Sequence, residues 1–233
     1  MLKKLYNLRP YSWIDLFLVG LVARFSVIQN FMFKDLFMIL GLFFLWCFFN
    51  SALEFRHGYS YRSKPSSLLL IISMLFPIIG IYYNPISFVF VLLSMLLVGL
   101  YLLKDKILGN LSFILRGLIQ SSYFFYALMF YTDINFIHLI IGIVIFLIYS
   151  VRALIGDIRD VKHNREANKE TFVVNYDVGL SIILIEIILI LSILLIIHFF
   201  SLLAAFPLFL FCSAIIFFRN GYVLHQLMIF TTS

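Results

Sequence analysis

Asp157 and Asp160 stand three residues apart in the polar run from Tyr149 to Tyr176, the longest such run in an otherwise apolar chain. With Asn164 they mark positions i, i+3 and i+7, which on a helix share one face. Arg165, Lys169 and Thr171 follow, two cations and a hydroxyl. Acids on one face with cations behind them suit a divalent ion that bridges to phosphate. Mg²⁺ takes one or two carboxylates plus substrate phosphate oxygens, and Lys or Arg neutralises the charge that remains. The same run also reads as a solvated loop between two membrane helices, positive because it faces the cytoplasm.

A second device of the same kind lies earlier. Asn50 and Glu54 are i and i+4 at the end of an apolar segment, again one helical face. A basic stretch with Arg56, Arg62 and Lys64 follows, closing on Pro65. An apolar helix ending in oxygen ligands and then a basic loop thus occurs twice, which hints at an internal duplication, although no residue-level repeat is visible. Brought together, two such helix ends make a site for a divalent metal and a diphosphate at one edge of a membrane.

The elements that must position these residues are transmembrane helices. Of 233 residues, 64% are hydrophobic and 12% charged, about half the charged fraction of a typical soluble domain. A span needs roughly 20 mainly apolar residues. Candidates fall at about 12–30, 35–53, 67–83, 86–103, 111–131, 134–153, 178–198 and 200–218, and the stretch from Tyr222 to Ser233 is too short to cross. The predicted fold class is all-α: a polytopic membrane helical bundle of about eight transmembrane helices, forming a single transmembrane domain over 1–233.

Orientation follows from the cations, because cytoplasmic loops collect Lys and Arg. Lys3, Lys4 and Arg9, then Arg56, Arg62 and Lys64, then Lys104 and Lys106, then Arg152 to Lys169, then Arg219 fall on alternate ends; the opposite ends offer Lys34 and little else. The N-terminus and both large polar loops are therefore expected in the cytoplasm. The net charge of +6 is loop charge and no nucleic-acid footprint. Cys47 and Cys212 lie in apolar runs and read as small core residues. Lys3, Lys4 and Arg9 precede a first span without a clear small-residue cleavage site, so that span is expected to be retained as an anchor. The five histidines lack metal-ligand spacing, and no nucleotide-binding glycine loop or Gly-x-Ser-x-Gly elbow occurs.

In three places the residues resemble the UbiA superfamily of intramembrane prenyltransferases. Arg9-Pro10-Tyr11-Ser12-Trp13 is similar to the family's opening before its first span. Asn50 with Glu54, then Arg62-Ser63-Lys64-Pro65, stands where the family has its Asn/Asp-rich first motif and trailing basic-Pro segment. The most specific stretch runs from Arg152 through Gly156-Asp157-Ile158-Arg159-Asp160 to Lys169-Glu170-Thr171-Phe172-Val173-Val174, resembling the second motif. Departures accompany the matches. Ser51, Glu54 and Gly58 stand at aspartate positions of the first motif, and His163-Asn164 replaces a Gly-Asp pair in the second. Three expected carboxylates are lost, and Glu54, Asp157 and Asp160 remain. Members usually have a ninth full span, which is short or missing here.

The resemblance implies Mg²⁺-dependent transfer of a polyprenyl group from its diphosphate to a lipophilic acceptor. Catalytic and metal roles fall to Asp157, Asp160 and Glu54, with Asn50 and Asn164 as neutral oxygen ligands to the metal. Asn50, Arg62, Lys64, Arg165, Lys169 and Thr171 are the implied diphosphate contacts, Lys169 being the best aligned. Partners are then a prenyl diphosphate, the acceptor and membrane lipids, with no nucleic acid; the acceptor's identity and the oligomeric state stay open. Three carboxylates seat one ion well and a second poorly. The alternative is therefore a catalytically degenerate UbiA-like protein that binds isoprenoid lipids or partners without turnover. Charges inside spans cost several kcal/mol unless satisfied. Arg24, Arg116 and Glu186 are accordingly expected to face the bundle interior, where an arginine meets an anionic substrate group or pairs with Glu186, or serves as a purely structural ion pair.

Overall fold

The computed structural model describes residues 11–27, 32–57, 67–103 and 108–217. Arg9, Arg62, Lys64, Lys104, Lys106 and Arg219 lie outside them, as does the stretch from Tyr222; Glu54 is described only as part of a helix. Among the described residues the structure is helical without strands. Each expected apolar run is a helix: α1 (Tyr11–Phe25), α2 (Phe33–His57), α3 (Ser67–Leu75), α4 (Ser87–Leu102), α5 (Ser112–Leu128), α6 (Phe136–Arg159), α9 (Val178–Phe199) and α10 (Leu202–Phe217). Two short helices, α7 (Val161–Glu166) and α8 (Phe172–Tyr176), shape the polar run between α6 and α9. The segments Phe33–Asn50, Phe136–Arg159 and Val178–Phe199 are long and apolar enough to cross a membrane. At 1.5 Å per residue, α6 reaches about 36 Å against a hydrocarbon core of about 30 Å. Its polar end therefore emerges where Asp157 begins the motif.

The contacts divide the chain into two compact units, 1–102 with 122–135, and 103–121 with 136–233. In the first, α2 packs against α1, α3 and α4. Beyond Leu75 the α3 path tightens into a 3₁₀ turn, Phe76–Tyr82, with Pro77 in its first turn. Proline has no N–H to give an α-helical ladder, and the Pro77 carbonyl accepts from Tyr126 Oη at 3.0 Å. Arg24 is buried with Asp35, Nε to Oδ2 at 2.7 Å. A charge inside the bundle is thus matched by an acid that the sequence shows only as span punctuation.

In the second unit α9 packs against α6 and α10. Its core joins Val151, Leu154, Ile155 and Ile158 of α6 to Ile185 and Leu189 of α9 and Phe211 of α10. On α9 the buried Ser181 and Ser192 donate to carbonyls one turn back, Asp177 O and Ile188 O, so neither of these two hydroxyls is left unsatisfied. Outward faces carry Ile183, Ile187, Leu194, Leu203 and Phe209, all exposed. Such a surface suits lipid tails.

Candidate functional site

The second motif is built by one continuous turn of chain. Helical bonding runs past the end of α6, with Asp160 N donating to Gly156 O at 3.1 Å and Asn164 N to Asp160 O at 2.9 Å. Asp160 itself leaves helical geometry, at φ −97° and ψ 9°, so Asp157 lies in the last turn of α6, Asp160 caps α7 and Asn164 lies within α7. Asn164 is buried, whereas Asp157 and Asp160 are half-buried.

After α7 the chain turns sharply. Asn168 sits at φ 49°, its N–H donates to Arg165 O at 3.1 Å, and the N–H of Lys169 donates to Asn164 O at 2.9 Å. This pair of bonds is a Schellman closure with a left-handed residue after the C-cap. It ties the backbone of Lys169 directly to Asn164, so the best-aligned cation stays beside the second motif. Lys169 is half-buried and Arg165 exposed. Thr171 is buried and caps α8, its Oγ1 accepting from Val174 N at 3.4 Å.

Each acid already has a partner. Ser112 Oγ at the start of α5 donates to Asp157 Oδ2 at 3.4 Å. The guanidinium of Arg159 holds both oxygens of Asp160 at 2.8 and 2.6 Å. Among the described residues no group of three His, Cys, Asp or Glu side chains is poised for a metal ion. The donor set that remains, two carboxylates one turn apart with an amide beyond, still fits Mg²⁺ when phosphate oxygens complete its shell.

The short stretch before α5 is the part that sequence reasoning missed. Asn175 Nδ2 donates to Asn110 Oδ1 at 2.7 Å, and the rings of Phe113 and Phe172 meet edge to face at 5.7 Å. Gly109 lies so close to Glu170 that an added Cβ would overlap its backbone carbonyl oxygen. Residues 109–113 thus hold the motif from the side. The signal for them was a glycine followed by Asn110 and Ser112 directly before an apolar run, a pattern that resembles any helix start.

In the first motif, Asn50 is half-buried on α2 and its Nδ2 donates to Trp46 O at 2.9 Å. Glu54 follows one turn later on the same helix. Arg62 and Lys64 belong to the residues not described. Of the intramembrane charges, Arg24 pairs with Asp35, while Arg116 and Glu186 are half-buried.

These helices, in this order, match one solved structure in particular. The chain aligns with digeranylgeranylglyceryl phosphate synthase in membranes at a TM-score of 0.72 and 12% identity, covering 98% of this chain and 93% of that one. The two chains share one fold. No protein-family model matches the sequence, and no curated protein matches it. At this identity the likeness carries the architecture and leaves the chemistry to the residues themselves.

Proposed function

We propose that the chain is an integral-membrane prenyltransferase that moves a polyprenyl group from its diphosphate to a lipophilic acceptor and depends on Mg²⁺. The observation that supports this most is the likeness of fold over 98% of the chain to digeranylgeranylglyceryl phosphate synthase, together with the motif turn that ties Lys169 to Asn164. Residues 1–233 act as one transmembrane domain, with the N-terminus and both motif loops on the cytoplasmic side.

In this reading Asp157, Asp160 and Glu54 hold Mg²⁺, with Asn50 and Asn164 as neutral ligands. When bound, the ion supplies Lewis-acid stabilisation of the charge that grows on the leaving diphosphate. The protein's own cations do the rest: Arg62, Lys64, Arg165 and Lys169 orient the diphosphate and offset its charge in a water-poor setting where such contacts are strong. Thr171 orders the start of α8 beside them. Ionising the allylic carbon leaves a cation that apolar walls shield from water.

The experiment is diphosphate release by purified protein given Mg²⁺, farnesyl or geranylgeranyl diphosphate and a panel of acceptors. Asp157→Asn and Asp160→Asn should each abolish it. Full turnover in either variant overturns the site assignment. The fork of Arg159 on Asp160 and the three lost carboxylates favour a second reading, a protein that binds isoprenoids without turnover. Retained prenyl-diphosphate binding with no release from any acceptor selects that reading.

A further inference from the structure

Ser112, Arg116 and Gln120 stand at i, i+4 and i+8 of α5 and so share one face. Ser112, at the motif end, is bonded to Asp157. Arg116 is half-buried. Gln120, only 6% exposed, has its Oε1 fully buried with no donor among the described residues. Buried carbonyl oxygens nearly always find a hydrogen-bond donor, and one that does not calls for a physical reason. Here the helix gives a direction. Gln120 lies two turns deeper than Ser112, about 12 Å along the axis. Helical side chains lean back toward the N-terminus, which on α5 is the Asp157 end. On the face that carries Ser112 and Arg116, deeper along α5, Gln120 Oε1 is thus a buried hydrogen-bond acceptor without a donor among the described residues.

An amide oxygen takes a donor hydrogen but is no base. It suits an uncharged hydroxyl on a lipid. We propose that Gln120 is a specificity-determining residue for the acceptor, its Oε1 receiving the hydrogen bond of the nucleophilic hydroxyl. This rests on the prenyltransferase reading. In the transfer, the bond between the allylic carbon and the diphosphate oxygen breaks and a bond from that carbon to the acceptor oxygen forms. The hydroxyl proton leaves with the diphosphate, and Gln120 orients the O–H without taking its proton. Selection then arises because an acceptor lacking the hydrogen leaves Oε1 unsatisfied.

The test uses the full chain in detergent and follows its unfolding midpoint with three probes: Mg²⁺ plus farnesyl diphosphate, geranylgeranylglyceryl phosphate, and the O-methyl ether of that alcohol. Wild type should be stabilised more by the alcohol than by the ether, with about tenfold tighter binding, the factor for one hydrogen bond. In Gln120→Leu and Gln120→Met the preference should vanish, while the shift from Mg²⁺ and farnesyl diphosphate stays. Equal shifts from alcohol and ether in wild type, or a preference that survives both substitutions, overturn the role of Gln120. A preference lost in the variants, with no response of any form to Mg²⁺ and farnesyl diphosphate, keeps Gln120 as a hydroxyl reader and sinks the prenyl-transfer reading instead.

Discussion

The guanidinium of Arg159 takes both carboxylate oxygens of Asp160, Nε to Oδ1 at 2.8 Å and Nη2 to Oδ2 at 2.6 Å. The two side chains are 29% and 43% exposed, and ion pairs this open to solvent contribute about 0–1 kcal/mol. The fork therefore governs what Asp160 can bind more than whether the protein folds. Arg159→Gln should leave the unfolding midpoint nearly unchanged. In the diphosphate-release assay it should lower the Mg²⁺ concentration for half-saturation, because a competing cation is gone. The KM for prenyl diphosphate should rise, because one positive charge near the leaving group is lost. Both constants at wild-type values would reduce the fork to a surface contact.

The turn after α7 gives a second test. Asn168 holds φ 49°, a region that Asn and Gly enter readily and β-branched residues do not. Asn168→Gly should keep the fold and the site. Asn168→Val should lose about 1–2 kcal/mol, and the loss should extend to function, since Lys169 N and Asn164 O are joined across this residue. Thermal unfolding and prenyl-diphosphate KM, measured together, check it. A valine variant with both values intact would show that the closure does not position Lys169.

Long apolar runs made the helices legible. Apolar runs leave the backbone little choice, because unbonded peptide groups cannot sit in hydrocarbon, and three of them form helices long enough to cross a membrane. The 3₁₀ turn inside the third segment was signalled only by Pro77. The polar run of Asp157, Asp160 and Asn164 was legible as a motif, but the break at Asp160 that splits it between α6 and α7 was not. Nor was what meets that run. Ser112 is 45 residues from Asp157 and Asn110 is 65 from Asn175; no local period reports a contact at such separations. Asp35 was hidden for the opposite reason. Beside Lys34 it reads as loop polarity, and only packing of α1 on α2 shows it answering Arg24.

Gly109 is where that hidden contact is most demanding. Its missing side chain lets the backbone carbonyl of Glu170 approach closely, and a Cβ there would overlap it. Gly109→Ala must push the Lys169–Thr171 segment aside. The expected result is a fall in both stability and prenyl-diphosphate affinity. Gly99 of α4 is the control, with no atom within 4 Å of an added Cβ. There alanine should stabilise the helix by roughly 0.5–1 kcal/mol. Equal behaviour of the two variants would mean that the 109–170 approach bears no strain.

Arg24, Asp35 and Tyr131 make the last case, far along α2 from the first motif. Asp35 Oδ2 accepts from Arg24 Nε at 2.7 Å and from Met32 N at 2.8 Å, and Oδ1 accepts from Tyr131 Oη at 2.5 Å. Arg24 and Asp35 are buried, so removing one partner strands the other charge, at about 3–5 kcal/mol. Arg24→Met or Asp35→Leu alone should lower the unfolding midpoint strongly. The double variant should regain much of it, because no uncompensated charge remains. Tyr131→Phe should cost less, about 1–3 kcal/mol, for one lost donor. Asp35 precedes Asn50 by 15 residues of the same helix, about 22 Å along the axis. Turnover per folded molecule should therefore stay at the wild-type value in all four variants. Loss of turnover in a variant that remains folded would mean that the cluster acts on the motif through α2, and would make it a positioning network rather than a clasp on the α1–α2 hairpin.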